Sequence, residues 1–79
     1  MLRLRYMNRE LKKEIFLKKS KLRKEVYGLL EKPKTATEIA KELGKHRSSV
    51  SRVLLDLGEA GFAKCVNPDD KSFRHYVKR

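Results

Sequence analysis

Seventy-nine residues are enough for one domain with one modest core. Lysine and arginine number 21 against 10 aspartate and glutamate, a formal net charge of +11, which favours a polyanionic partner such as nucleic acid or an anionic membrane surface. The single cysteine excludes an internal disulfide, and the lack of a leader-like segment or a long apolar run predicts a cytoplasmic protein that does not span a membrane.

The side chains that usually perform catalysis or bind metals are scattered along the chain. His46, His75 and Cys65 stand at none of the spacings typical of a zinc site. No phosphate-binding glycine loop, nucleophile elbow or metalloprotease motif occurs. We therefore expect no enzyme activity, no cofactor, no metal and no small-molecule substrate.

The N-terminal part of the chain contains two segments of different character. Residues 1–7 alternate apolar residues with arginines, which permits a short strand or a helix. Residues 8–30 place apolar side chains on one side of a helix, but the lysines at 18–19 interrupt this stripe. One long helix and two helices both fit, and the favoured interpretation is a break with Ser20 as the N-cap of the second helix. Residues 32–34, which include a proline, are expected only to connect this region to the next.

The following segment, residues 35–61, holds two amphipathic patterns joined by a turn at Gly44. Thr35 and Glu38 form the signature of a capping box at the start of the first pattern. Gly44 and Gly61 supply the left-handed residue that commonly ends a helix. A second helix delivered by such a turn is a common device for entering a DNA groove. Each pattern predicts one buried stripe, formed by Ala36, Ile39, Ala40 and Leu43 in the first and by Val50, Val53, Leu54 and Leu57 in the second.

After Gly61 the composition becomes typical of β-structure. Residues 62–66 and 72–77 are rich in strand formers, and the segment between them, residues 67–71, is dense in turn formers. The sequence therefore predicts a hairpin, whose tip and returning strand are basic. Three of its apolar residues are expected in the core, namely Phe62, Phe73 and Val77.

Helix, capped helix, turn, helix and basic hairpin together resemble the winged helix-turn-helix fold. Residues 37–44 (TEIAKELG) and 48–52 (SSVSR) are similar to those of the MarR- and ArsR-like transcriptional regulators of bacteria and archaea. The resemblance covers roughly residues 20–78. It implies a mainly α protein with a small β-hairpin, of the α+β class, with a winged domain at residues 20–79. Residues 1–19 are then an N-terminal extension that serves either dimerisation or contact with DNA.

Three positions depart from the pattern of that family. Lys45 stands where the turn is commonly apolar, and His46 stands where Ser or Thr usually caps the second helix. Gly58 lies in the last turn of that helix, where alanine would favour the helix by roughly 0.5–1 kcal/mol. We therefore expect the second helix to begin without a strong cap.

The resemblance makes residues 46–60 the expected recognition helix and residues 62–78 the wing. With its apolar stripe facing the core, the recognition helix turns serines and arginines outward or to its flanks. An arginine guanidinium can bond both acceptors of guanine in the major groove, although the same residues would also suit a merely solvated helix face. The candidate DNA-binding residues are Arg47, Ser48, Ser49, Ser51 and Arg52 of this helix, Thr37, Lys41 and Lys45 of the preceding helix and turn, and Lys71 and Arg74 of the wing.

These features predict a sequence-specific regulator of transcription that binds double-stranded DNA, with the recognition helix in the major groove and the wing on the flanking backbone. The alternatives are a winged-helix protein–protein interaction module of the transcription or replication machinery, and an RNA-binding protein. A homodimer through the N-terminal segment is one expectation, with Leu11, Ile15 and Phe16 packed across a two-fold axis and Leu2 and Leu4 as further candidates for it. The other is that these residues fold back onto their own domain.

Overall fold

The structure is a computed structural model that describes residues 9–79. Within these residues four helices and one three-stranded antiparallel sheet form the α+β winged helix that the sequence predicts. The strand or helix considered for residues 1–7 lies outside the described residues. The elements are α1 (Arg9–Lys18), α2 (Lys21–Gly28), β1 (Lys34–Thr35), α3 (Ala36–Leu43), α4 (Arg47–Glu59), β2 (Ala63–Cys65) and β3 (His75–Lys78).

The N-terminal region forms two helices, with the break where the sequence predicts it. α1 ends at Lys18 and α2 begins at Lys21. Between them Ser20 is the N-cap of α2, and its Oγ accepts a hydrogen bond from the Arg23 amide at 3.3 Å. A single continuous helix is therefore the wrong alternative. Lys18 and Lys19 lie at this break and are both exposed, so neither interrupts the apolar side of a helix.

Arg23 joins the first two helices to α4. Its guanidinium carbon lies 4.0 Å from the centroid of the Phe16 ring, and the same group donates a hydrogen bond to the Phe16 carbonyl at 3.2 Å. It also pairs with Asp56 of α4 at 3.6 Å. Phe16 packs against Phe62, with the two ring centroids 5.5 Å apart. Phe16 therefore folds back onto its own domain, as one of the two alternatives predicted.

The start of α3 is fixed by the predicted capping box. The Glu38 amide donates to Thr35 Oγ1 at 3.1 Å, and Glu38 Oε1 accepts from the Thr35 amide at 2.9 Å. That backbone hydrogen bond lowers the pKa of the Glu38 carboxyl, because it favours the charged form. Gly44, at φ 65°, then ends α3 in the left-handed conformation predicted for it.

Lys34 and Thr35 form a short strand, although the sequence predicts Lys34 only as part of a connector and Thr35 only as the cap of α3. They pair antiparallel with Tyr76 and His75 of β3, so the strand order of the sheet is β1–β3–β2. A strand of two residues next to a proline has no alternating pattern by which it could be predicted. The pairing fixes the start of α3 against the returning strand of the wing.

The hairpin of β2 and β3 is present, with strands shorter than predicted and a loop at residues 66–74. Phe62 is buried as predicted, and Val77 is half-buried. Phe73 is 61% exposed, so the prediction that it belongs to the core is wrong. The reason is that β3 begins only at His75, which leaves Phe73 on the loop instead of on a sheet face. The register of the hairpin pairs Ala63 with Lys78, Lys64 with Val77 and Cys65 with Tyr76.

The core lies between α2, α3, α4 and the start of the wing. Both predicted stripes face it, with Ala36 and Leu43 half-buried at the two ends of α3. Gly61, at φ 83°, follows α4 in the left-handed conformation predicted for it. None of the helices in the described part of the chain is both long and apolar enough to cross a membrane. The buried residues are Val26, Leu30, Ile39, Ala40, Val50, Val53, Leu54, Leu57, Phe62 and Ala63.

Replacing Thr35 with alanine should lower the free energy of unfolding by about 1 kcal/mol, because the first turn of α3 loses its cap. Thr35→Ser should retain most of the stability, since serine offers the same acceptor. The matched control is Thr37→Ala, which removes an exposed threonine of the same helix and should change little. Urea unfolding followed by circular dichroism measures all three. Equal losses for Thr35→Ala and Thr37→Ala would contradict the role of the cap.

Candidate nucleic-acid interface

A groove of about 530 Å³, including the solvent at its mouth, lies between the start of α3, one side of α4 and the wing. The pairing of β1 with β3 brings the start of α3 beside the wing. The helical repeat places Arg47, Ser51 and Leu55 on the side of α4 that completes the groove. The lining residues are Thr35, Ala36 and Thr37 from the start of α3, Arg47, Ser51, Leu54 and Leu55 from α4, and Lys71, Ser72, Arg74 and Tyr76 from the wing.

The groove brings together predicted DNA-binding side chains from three separate segments of the chain. Thr37 comes from the start of α3, Arg47 and Ser51 come from α4, and Lys71 and Arg74 come from the wing. Ser51 is half-buried, and the other members of this set are exposed. Segments that are far apart in the chain therefore form one continuous surface.

The remaining candidates on α4 lie outside the groove. Ser48 and Arg52, four residues apart, are exposed on the outward side of the helix, next to the groove. Ser49 is exposed as well, but it lies on the opposite flank. Asp56, two helical turns after Ser49, faces α2 and pairs there with Arg23. The structure thus separates Ser49 from the groove and keeps Arg52 beside it.

The charged side chains that line the groove are all cations, although the Asp70 carboxylate lies near enough to Arg74 for the two charges to interact. Its charged lining residues are Arg47, Lys71 and Arg74, and no aspartate or glutamate lines it. Within residues 9–79 none of these three makes an ion pair. Arg74 donates from Nε to the carbonyl oxygen of Asp70 at 3.1 Å, which orients its guanidinium without cancelling its charge. The groove is therefore a cationic surface that can accept an anion.

Some cations elsewhere in the molecule form ion pairs. Lys34 lies 2.8 Å from a carboxylate oxygen of Glu42, and Lys78 lies 2.9 Å from one of Glu31. The bond from Lys78 lowers the pKa of Glu31, because it favours the charged carboxylate. The two candidates of α3 and its turn, Lys41 and Lys45, differ from these lysines. Both are exposed, and neither forms an ion pair in the part of the chain that the structure describes.

Comparison with protein families agrees with this geometry. The model of the family described as "Bacterial regulatory protein, arsR family" matches residues 20–64, from the cap of α2 into β2. The chain belongs to this family. Searches of the curated proteins and of the solved structures return no match. The ArsR-family helix-turn-helix makes the chain a DNA-binding transcription regulator, and the MarR-like regulators named above form a related winged-helix family.

In this ArsR-family chain α4, the expected recognition helix, begins with the weak cap that the sequence predicts. His46 occupies the N-cap position in an extended conformation, and its side chain makes no capping hydrogen bond. The first amides of any α-helix lack acceptors within the helix and lie at the positive end of its dipole. In this chain they adjoin Arg47 at the edge of the groove. A phosphate oxygen is a chemically suitable acceptor for such amides.

Six residues line the groove of the ArsR-family chain without being among the predicted DNA-binding residues: Thr35, Ala36, Leu54, Leu55, Ser72 and Tyr76. Ser72 and Tyr76 flank Arg74 at intervals of two, so the period of an extended chain could have placed all three on one face. Leu55 follows Ser51 by four residues and is 54% exposed. Periodicity alone could not show that the wing stands on this side of α4, since that depends on the tertiary fold.

The loop of the wing is held in place by two of its own side chains. The carboxylate of Asp70 accepts hydrogen bonds from the amides of Phe73 and Ser72, each at 2.9 Å, which lowers the pKa of Asp70. The Asn67 side chain donates to the Phe73 carbonyl at 2.9 Å and accepts from the His75 amide at 2.6 Å. The basic residues of the wing are therefore presented from an ordered loop.

Lys71→Ala should make duplex binding less dependent on salt. Each phosphate contact contributes about −0.9 to the slope of log affinity against log salt concentration, so about five contacts give a slope of about −4 to −5. The variant should lose about one unit of this slope, as measured by fluorescence anisotropy with a labelled duplex.

The matched control is Lys24→Ala, which removes an exposed lysine of α2 that does not line the groove. Its slope should stay close to that of the unmodified chain. A reduced slope for Lys24→Ala together with an unchanged slope for Lys71→Ala would contradict the assignment of this surface.

Proposed function

We propose that this transcription regulator recognises specific sequences of double-stranded DNA, with α4 in the major groove and the wing on the flanking backbone. The main support is the cationic groove, which borders the outward side of α4 and has no carboxylate in its lining. The major groove of B-DNA is wide enough to admit an α-helix. A wing placed beside that helix would then lie over the adjacent phosphates.

The side chains of α4 are the proposed source of sequence preference. Arg52 and Ser48 lie on its outward side, and Arg47 stands at its first turn. An arginine can form two hydrogen bonds to guanine, and one such pair contributes about 1–3 kcal/mol of discrimination between bases. Ser51 is small and half-buried, which allows the helix backbone to approach the bases.

The other candidates are assigned to the phosphate backbone. Contacts to phosphates fix the position of a protein on DNA but contain no direct sequence information. Their charges favour binding by releasing counterions. This group consists of Thr37, Lys41, Lys45, Ser49, Lys71 and Arg74.

Selection of bound duplexes from a random pool, followed by sequencing, tests this proposal. An enriched motif is expected for the unmodified chain, and its absence would contradict sequence specificity. Repeated with Arg52→Ala, the selection should lose preference at one or two positions of that motif. Lys71→Ala is the matched control, because it also removes one exposed cation but should weaken all sequences alike. Equal losses on the enriched and on random duplexes for Arg52→Ala would contradict base recognition by α4.

We also propose that residues 20–79 form the DNA-binding unit and that residues 1–19 join two copies of the chain. On α1, Leu11 and Ile15 lie one helical turn apart and are 44% and 43% exposed. A two-fold dimer through this surface would present two recognition helices to half-sites about 34 Å apart.

Sedimentation equilibrium at tens of micromolar tests the dimer. The unmodified chain should have twice the monomer mass, and Ile15→Asp should shift it toward the monomer because a carboxylate is costly to bury. Ile15→Leu keeps the apolar surface and should remain dimeric. A monomeric mass for the unmodified chain would overturn this part of the proposal.

A further inference from the structure

Phe73 is the most exposed large apolar side chain in the described part of the protein. Its exposed fraction is 61%, against 54% for Leu55 and 47% for Val66. Removing a phenylalanine side chain from water is worth far more than ordinary thermal energy. Folding leaves this aromatic ring largely exposed to water, so a partner that covers it would gain the free energy of its burial.

The backbone of Phe73 is held from both sides. Its amide donates to the Asp70 carboxylate at 2.9 Å, and its carbonyl accepts from the Asn67 side chain at 2.9 Å. The ring nitrogen Nδ1 of His75 lies 3.0 Å from the same carbonyl. Binding therefore need not order this part of the loop, which removes one of the usual costs of association. An exposed aromatic side chain on a fixed support is suited to recognition.

The surroundings of Phe73 favour a polyanion as its partner. Its sequence neighbour Arg74 and nearby Lys71 line the cationic groove. Lys64 is exposed on the other strand of the same hairpin. The exposed Asp69 opposes these charges, whereas the carboxylate of Asp70 is already bonded to backbone amides. An apolar ring among cations matches a nucleic acid better than it matches an apolar protein surface.

Phe73 itself does not line the groove, although the residues on both sides of it do. Its ring therefore lies outside the surface that borders α4. If α4 occupies the major groove, this outer part of the wing lies beyond the flanking backbone, where the minor groove begins. Proteins that bend DNA insert apolar side chains between base steps from the minor groove.

We propose that Phe73 is an apolar wedge that enters the minor groove next to the segment bound by α4. This inference rests on the proposed mode of DNA binding. The favoured ligand is a duplex with a flexible pyrimidine–purine step at that position, because such steps unstack at the lowest cost. Phe73 would thereby add sequence preference through DNA deformability, outside the bases that α4 contacts.

The first test measures affinity for a duplex of alternating T and A at several salt concentrations. Phe73→Ala should weaken binding about ten-fold with an unchanged salt slope, because an apolar contact releases no counterions. Phe73→Leu should retain most of the affinity. Val66→Ala is the matched control, since it truncates another exposed apolar residue of the hairpin, and it should bind as the unmodified chain does. Unchanged affinity for Phe73→Ala, or an equal loss for Val66→Ala, would overturn the proposal.

The second test places 2-aminopurine in the same duplex, at saturating protein. The fluorescence of this base rises when it unstacks, so the unmodified chain should increase it and Phe73→Ala should not. If the unmodified chain fails to bind the duplex at all, the proposed mode of DNA binding fails. If the chain binds without any increase in fluorescence, the wedge alone fails.

The third test removes the hydrogen bond by which the Asp70 carboxylate holds the backbone amide of Phe73. Asp70→Ala removes the acceptor of the Phe73 amide and should weaken binding, even though it deletes a negative charge near the DNA. Asp70→Asn keeps an acceptor oxygen and should bind at least as tightly as the unmodified chain. Tighter binding by Asp70→Ala would show that charge alone matters here and would overturn the role of the fixed ring.

Discussion

Thr35 joins the wing to the helix-turn-helix. Its backbone pairs with His75 of β3, its hydroxyl caps α3 through the Glu38 amide, and the same residue lines the cationic groove. Thr35 is only 7% exposed, and loss of its cap should lower the free energy of unfolding by about 1 kcal/mol. The position of α3 relative to the wing, and hence the shape of the groove, depends on this residue.

The cationic side chains of the chain serve two different roles. Away from the groove, cations stabilise the fold: Lys13 donates to the Tyr27 hydroxyl at 3.1 Å, which raises the pKa of Lys13, and Lys78 lies 4.8 Å from the centroid of the same ring. Arg23 in turn bridges three helices. At the groove, Arg47 and Lys71 have no carboxylate partner within residues 9–79. These two cations of the groove therefore remain available to a polyanion.

Much of the fold could be predicted because its signals are local. The capping box, the glycine at the turn and the two apolar stripes each act within a few residues. The sequence did not indicate β1, because two residues become a strand only through their partners in β3. Phe73 does not lie in the core as predicted. Its β-forming neighbours suggest a strand, whereas hydrogen bonds between the Phe73 backbone and the side chains of Asn67 and Asp70 make that segment a loop. The outward side of α4 follows from periodicity, but the contribution of Tyr76 to the groove depends on how the wing packs.

We propose that one surface, the groove together with the outward side of α4, contacts duplex DNA. Titration of the ¹⁵N-labelled chain with a duplex, followed residue by residue in two-dimensional NMR spectra, tests it most directly. We expect the amide signals of Thr37, residues 47–52 and residues 71–74 to shift most, while those of α1 and α2 shift little. Shifts concentrated on α1 and α2, with α4 and the wing unaffected, would contradict it.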